Sequence, residues 1–222
     1  MRRFAALLLF CLVVLPISSM ADSIILDSRA GVNATCAGDP ACPTGPTSTV
    51  VIPKNVIWAS PFGTSQWVSV PFTNGGESGN HSLPNFYSPA DGTAMVVSDT
   101  FISPVSEVQL MVLADDTTSV LISGGAFSYA AALGAGNTYG NCSDVTIGCI
   151  LPTAGIFDIT LTPGVTYDIT FDTVQRAGSS FGLDYEITAV PEPATLPMLG
   201  AALLAGAAWM RRSQARRIKP AQ

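Results

Sequence analysis

The sequence predicts an all-β fold: an antiparallel, jelly-roll-like β-sandwich with an apolar segment at each end of the chain. Three segments of the body alternate apolar and polar residues with a period of two, the pattern of half-buried antiparallel strands. Clusters of Gly, Pro, Asn and Ser separate the extended segments, and the body shows no 3.6-residue apolar repeat. Many short strands with turn residues between them are typical of sandwiches and jelly rolls.

The three alternating segments are residues 155–161, 165–171 and 181–189. Pro163-Gly164 lies between the first two, so we expect them to form a hairpin. The third places aromatic and aliphatic residues on one face and polar residues on the other. Its apolar face contains Phe181, Leu183, Tyr185 and Ile187, and its polar face contains Asp184, Glu186 and Thr188.

The remaining strands are predicted from shorter extended segments: residues 23–26, 50–52, 67–72, 93–99, 106–113 and 119–122. The last two flank Asp115 and Asp116, an arrangement that predicts strand, acidic turn, strand. Trp67, on one of these strands, is expected in the core.

The body is strongly acidic. Residues 22–190 contain three basic and fifteen acidic residues, a net charge of −12. This charge excludes nucleic acid as a partner, since nucleic-acid binding needs a basic surface. It is compatible with an extracellular surface or with divalent cations.

The first 21 residues predict a secretory signal peptide. Arg2 and Arg3 precede an apolar stretch at 5–15, and Ser19 and Ala21 are small residues at the positions that signal peptidase inspects. Cleavage after Ala21 would start the mature chain at Asp22, so the predicted ectodomain comprises residues 22–189.

The C-terminal segment has three parts in a fixed order. Pro191-Glu192-Pro193 is followed by sixteen apolar residues, 195–210, which predict one short helix. Such a run is marginal for a membrane span, which needs about 17 residues or more. The run ends in a basic cluster that would stay on the cytoplasmic side: Arg211, Arg212, Arg216, Arg217 and Lys219.

These features together resemble the PEP-CTERM sorting signal of Gram-negative bacteria. The resemblance covers 190–217, with 218–222 as a tail, and assigns the motif to Pro191, Glu192, Pro193, Arg211 and Arg212. The stretch after the first Arg pair, 213–222, is longer than the family's usual ending. It implies exosortase, a membrane cysteine transpeptidase, as processing partner. The chain would be anchored transiently in the inner membrane, lose its tail, and reach the cell surface or extracellular polysaccharide. A permanent single-pass anchor is the alternative.

A looser resemblance extends over residues 56–190. The stretch 108–124, with Asp115 and Asp116 between two extended segments, is similar to a hairpin of galactose-binding-like jelly rolls and of many PEP-CTERM ectodomains. It implies the same sandwich architecture. Ser123 stands where that family often has Asn.

Four cysteines remain in the predicted mature chain: Cys36, Cys42, Cys142 and Cys149. An even number in an exported chain indicates disulfides, with three possible pairings. We favour Cys36–Cys42 and Cys142–Cys149, since each would close a short loop. A zinc site is the alternative, although the spacings differ from those of zinc ribbons and fingers.

Two pairs of residues are candidates for ligand binding. Asp115 and Asp116 could bind Ca²⁺, the only cofactor that any motif suggests, or could form a solvated turn. Tyr129 and Tyr139 lie in a Gly-rich segment, where exposed rings could stack on sugars.

No catalytic motif accompanies these residues. His81 is the only histidine, and no G-x-S-x-G, P-loop or H-E-x-x-H motif occurs. The sequence therefore predicts a non-enzymatic structural or interaction protein of the cell surface or matrix. A carbohydrate-binding module for exopolysaccharide is the alternative, and a hydrolase is the third hypothesis.

Overall fold

The computed structural model describes residues 23–73, 89–130, 147–176 and 180–190, together with Leu204 and Gly206, which are both helical. The predicted signal peptide, Tyr139, Cys142 and the sorting-motif residues from Pro191 onward lie outside these ranges. No helix among the described residues has the length and hydrophobicity needed to cross a bilayer.

The described strands form two antiparallel sheets. The first sheet has the order β10-β7-β12-β5-β4, and β1 also pairs with β12. Its strands are β1 (Ile24–Asp27), β4 (Val50–Val51), β5 (Val68–Ser69), β7 (Glu107–Asp115), β10 (Gly155–Thr160) and β12 (Gly182–Ala189).

The second sheet has the order β3-β2-β6-β11-β8-β9. Its strands are β2 (Asn33–Ala37), β3 (Thr47–Ser48), β6 (Ala94–Ile102), β8 (Thr117–Ile122), β9 (Phe127–Tyr129) and β11 (Thr166–Val174). Two short 3₁₀ helices, Ser123–Gly125 and Leu151–Thr153, follow β8 and precede β10. The all-β prediction is confirmed, although β2, β3 and β9 were not predicted.

The two sheets pack face to face around one apolar core. The rings of Phe171 and Tyr185 come from opposite sheets and stack with centroids 4.2 Å apart. Each fully buried aliphatic or aromatic side chain contributes about 1.5–3 kcal/mol relative to an exposed one. The core draws on both sheets, with Val108, Leu110, Val112, Leu183 and Ile187 from the first and Met95, Val97, Val120, Ile122 and Ile169 from the second.

Most connections between the described strands cross from one sheet to the other, as in a jelly roll. The predicted hairpin around Pro163-Gly164 is therefore wrong, because β10 pairs with β7 whereas β11 pairs with β6 and β8. The predicted hairpin around Asp115 and Asp116 is wrong for the same reason, since β7 and β8 belong to different sheets. Alternation shows that a strand has one apolar face, but a strand in either sheet can turn that face to the same core.

Strand β12 is buried on both faces. Residues 52–67 and 147–154, which we call the outer layer, cover the face of the first sheet that points away from the core. Trp58, Trp67, Leu113 and Cys149 form a second apolar cluster there, and the two indole rings lie 4.1 Å apart. The strand predicted for 181–189 is confirmed as β12, but its predicted half-burial is wrong, because its acidic face is covered too.

Candidate functional site

The last strand keeps its hydrogen bonds up to the predicted sorting motif. The Ala189 amide donates to the Ser23 carbonyl at 2.9 Å, and the Val190 amide donates to the Glu107 carbonyl at 3.0 Å. The next residue, Pro191, has no amide hydrogen and cannot extend this ladder. In sequence, the predicted motif therefore starts at the residue after the last described hydrogen bond of the ladder.

Asp184 of β12 is a buried carboxylate that binds two other parts of the body. Its Oδ1 accepts from the hydroxyls of Ser28, at 2.9 Å, and Ser65, and its Oδ2 accepts from the Phe62 amide at 3.1 Å. Burial raises the pKa of Asp184 to about 6, against the opposing effect of these three donors. The arrangement holds the loop after β1 and the outer layer against the central strand.

Glu186 makes a similar contact two residues further along β12. The Thr64 amide donates to its Oε2 at 3.2 Å, and burial raises the pKa of this carboxyl. The backbone at Gly63 (φ +32°) approaches so closely that a β-carbon there would collide with the Glu186 carboxylate. Gly63 thus allows the outer layer to close over the strand.

Asp115 and Asp116 lie at the crossing between β7 and β8 and are 4% and 0% exposed, so the solvated-turn alternative is wrong. Trp58 Nε1 donates to Asp115 Oδ2 at 2.6 Å, and the Arg176 amide donates to Asp116 Oδ2. Burial raises the pKa of Asp115 well above its usual value and that of Asp116 to about 6. Where the chain is described, no three His, Cys, Asp or Glu side chains are grouped to hold a metal, and Ca²⁺ binding stays a prediction.

One predicted disulfide is confirmed. Cys36, on β2, is bonded to Cys42 with an S–S distance of 2.04 Å. Cys149 is buried and disulfide-bonded. Its predicted partner Cys142 lies outside the described residues, so that pairing stays a prediction.

Tyr129 does not lie in a loop. It is the last residue of β9, half-buried, with its ring 5.3 Å from that of Phe157. Within the described ranges no Phe, Tyr or Trp side chain is exposed, so none offers a free ring for stacking on a sugar.

An open polar groove of about 420 Å³ lies on the outer surface of the second sheet. Short side chains of β2, β6 and β11 form its floor, and Arg29 forms part of its wall, with its guanidinium 3.1 Å from the Asp99 carboxylate. The floor residues that present hydroxyl, amide or carboxylate groups are Asn33, Ser98, Thr100, Asp168 and Thr170.

Sequence reasoning missed Asp184, Glu186 and Trp58 as structural residues. Asp184 and Glu186 lie on one face of β12 and alternate with Leu, Tyr and Ile on the other. Such alternation normally means that the polar face is exposed to water, so the sequence predicted solvated carboxylates. Carboxylates are buried only when paired or hydrogen-bonded, and the partners here come from residues 28, 62, 64 and 65, which are distant in sequence.

In a comparison with protein-family models, the PEP-CTERM protein-sorting motif matches residues 189–212. The chain carries a PEP-CTERM sorting signal. The same comparisons find no curated protein and no solved structure that matches the chain.

The PEP-CTERM match begins inside the folded body. Its first two positions are Ala189 and Val190, the residues whose amides complete the ladder of β12. The motif implies processing by exosortase and supports export to the cell surface or the extracellular space.

Proposed function

We propose that the protein is a non-enzymatic structural or interaction component of the cell surface or extracellular matrix, delivered there as a folded sandwich after exosortase removes its C-terminal tail. The observation that carries this proposal is the PEP-CTERM motif at 189–212, which begins at the last residue of β12. The inner membrane holds the chain only during transit.

The described acidic residues with raised pKa support a non-enzymatic role. Carboxyl groups with such shifts are the usual candidates for acid–base catalysis. Asp184, Asp115 and Asp116 instead accept hydrogen bonds from side chains and amides of the fold, and each is at most 4% exposed. A substrate could not reach them without opening the outer layer or the crossing between the sheets.

Cell fractionation with mass spectrometry tests the proposal. In cells with an active exosortase, we expect the protein at the surface or in the matrix, with an N-terminus at Asp22 and without residues 195–222. In cells that lack exosortase, we expect the tail to persist in the membrane fraction. Retention of the tail in both strains, or a cytoplasmic location, contradicts the proposal.

Carbohydrate binding is the second candidate role, and the polar groove on the second sheet favours it. Hydroxyl, amide, carboxylate and guanidinium groups can pair with sugar hydroxyls in both donor and acceptor directions. The described part of the chain adds no exposed aromatic ring, so binding would depend on hydrogen bonds and would be weak.

Isothermal titration of the purified body with exopolysaccharide from the same cells tests this second role. The titration is made with Ca²⁺ and with chelator, because Asp115 and Asp116 remain candidate ligands. We expect binding that is lost in Asn33→Ala/Thr170→Ala and unchanged by the chelator. Absence of binding in both conditions rejects the second role, and loss of binding with chelator would revive the calcium hypothesis.

A further inference from the structure

The polar groove on the second sheet is organised in rows that cross three neighbouring strands. Asn33 of β2 lies opposite Ser98 of β6, and Ser98 lies opposite Thr170 of β11. Thr100 and Asp168 lie opposite each other, two residues further along β6 and β11. Adjacent strands are about 4.8 Å apart, and two residues of a strand span about 6.7 Å. The rows therefore form a polar floor about 10 Å long across the strands and about 7 Å wide.

The polar side chains of this floor make no hydrogen bond to any other described part of the protein. They are Asn33, Ser98, Thr100, Asp168 and Thr170. Two exposed pairs on the first sheet differ, because they bond across strands. Gln109 Nε2 donates to Asp158 Oδ1 at 2.9 Å, and Thr160 Oγ1 donates to Glu107 Oε1 at 3.1 Å. The groove thus presents donors and acceptors that a ligand can satisfy without breaking bonds within the fold.

The free groups of the floor match the hydroxyls of a glycan. The Asp168 carboxylate can accept from two neighbouring hydroxyls, while the Asn33 amide and the Ser and Thr hydroxyls both donate and accept. One sugar ring advances a glycan chain by a distance similar to the spacing of adjacent strands. An extended glycan laid across β2, β6 and β11 would therefore meet a polar group at each strand.

The charges at the groove disfavour an anionic ligand. The Arg29 guanidinium lies 3.1 Å from the Asp99 carboxylate and 3.6 Å from the Asp27 carboxylate, so its charge is already balanced. No cation among the described residues pairs with Asp168. These four side chains carry one positive and three negative charges, a net charge of −2. A ligand on the floor lies within a Debye length of them, about 8 Å, and a carboxylate or sulfate on it would be repelled.

We propose that the groove binds an extended segment of an uncharged, hydroxyl-rich polysaccharide, laid across β2, β6 and β11, and that it rejects glycans rich in uronic acid or sulfate. This inference rests on the carbohydrate-binding role proposed above, because it names the class of glycan for the same groove. Binding depends on hydrogen bonds to individual hydroxyls, and such a site discriminates against a ligand that lacks them.

Affinity electrophoresis tests the class of glycan. The full chain, purified in mild detergent, migrates through native gels that contain exopolysaccharide from the same cells, separated by anion exchange into an uncharged and an acidic fraction. A third gel contains the acidic fraction after chemical reduction of its carboxylates to alcohols, which removes the charge and keeps the linkages. We expect retardation by the uncharged and the reduced fractions, and an affinity for the unreduced acidic fraction that is about tenfold weaker.

Two matched variants test whether the groove is the binding site. Ser98→Leu places a bulky apolar side chain in the middle of the floor, and we expect the affinity for the uncharged fraction to fall about tenfold or more. Ser128→Leu makes the same change on β9, in the same row of the sheet but outside the groove lining, and should bind like the wild type. Both serines are exposed, and the thermal midpoint of each variant checks that it folds.

The variant Asp168→Lys tests the selection against anions. It replaces the unpaired carboxylate with a cation and changes the net charge of the four side chains from −2 to zero. We expect the affinity for the acidic fraction to rise relative to the affinity for the uncharged fraction. An unchanged ratio of the two affinities would overturn the electrostatic selection.

The outcomes separate this inference from the roles proposed above. Retardation by the acidic fraction that equals or exceeds retardation by the uncharged fraction overturns the class of glycan and leaves carbohydrate binding intact. Equal retardation of folded Ser98→Leu and Ser128→Leu overturns the groove as the site. Absence of retardation by every fraction overturns this inference together with the carbohydrate-binding role. None of these results depends on removal of the tail by exosortase, which fractionation tests.

Discussion

The two faces of the first sheet are buried by different chemistry. The inner face packs Leu, Val, Ile and Tyr side chains against the second sheet. The outer face combines the Trp58–Trp67 pair with the carboxylates of Asp115, Asp184 and Glu186, each bonded to an amide or side-chain donor. Apolar burial is non-directional, whereas a buried carboxylate needs its donors at defined positions.

The difference explains how a segment with little regular structure can cover a sheet. Within residues 52–67 and 147–154, the only regular element is the short 3₁₀ helix Leu151–Thr153. The position of the outer layer is set by Asp184 and Glu186, which hold backbone amides at residues 62 and 64. We infer that the inner face provides most of the stability, and that the outer face determines which loop conformation lies on the sheet.

Truncation in the inner face should have the largest effect. Phe171→Ala removes a fully buried ring that stacks on Tyr185, and we expect a loss of about 3–5 kcal/mol in the free energy of unfolding. Urea denaturation measures it. A loss below about 1 kcal/mol would mean that neighbouring side chains fill the space left by the Phe171 ring, and that the inner face is not the main source of stability.

The second-largest expected loss of stability comes from removing the Asp184 carboxylate on the outer face. Asp184→Ala leaves the hydroxyls of Ser28 and Ser65 and the Phe62 amide without their acceptor, and we expect a loss of about 2–3 kcal/mol. Asp184→Asn keeps one acceptor oxygen and should lose less. Protease digestion near residue 62 should accelerate in the alanine variant before global unfolding does. Equal stability of both variants and wild type would contradict the inference that Asp184 holds the outer layer against β12.

The contact between Gly63 and Glu186 gives a smaller and more specific effect. Gly63→Ala places a β-carbon against the Glu186 carboxylate, and we expect a loss of about 1–2 kcal/mol. Glu186→Ala removes the obstacle, so the double variant should be more stable than the sum of the single effects predicts. Strict additivity in this double-mutant cycle would show that the glycine is needed for its backbone conformation alone.

Much of the inner face could be predicted from the sequence, and the outer face could not. Period-two alternation located β10, β11 and β12 to within a few residues, because each turns one apolar face to the core. Alternation does not specify a partner strand, which explains why two sheet-crossing connections were predicted as hairpins. Strand β2, Asn33–Ala37, escaped prediction because Asn and Ala are poor strand formers and pairing with β6 supplies its structure.

The sorting signal was the most predictable feature, since its information is local in sequence. The motif predicted over 190–217 corresponds to the match over 189–212. Asp184 and its donors show the opposite case. Ser28, Phe62 and Ser65 are separated from Asp184 by more than one hundred residues, and no local pattern reveals that a loop will supply them.

The smallest effect predicted for a single residue is the pH dependence that Asp184, on the outer face, adds to stability. The pKa of Asp184 is about 6 in the folded protein against 3.8 for an ordinary Asp, so the folded state binds the proton more tightly than the unfolded chain does. This contribution to stability is fully present below about pH 4 and is lost as the pH rises through 6. Between pH 7 and pH 5 Asp184 should therefore add about 1 kcal/mol.

Asp116, with a pKa also about 6, should add a similar amount over the same interval. Asp115, whose pKa burial raises well above its usual value, acts in the same direction. Urea denaturation at pH 7, 6 and 5 measures the sum, and Asp184→Asn should remove the share of Asp184 without changing the sign. Phe171→Leu, a substitution in the inner face, should lower stability equally at each pH. Stability that falls steadily from pH 7 to pH 5 would mean that these carboxylates are stabilised by their donors more than they are penalised by burial.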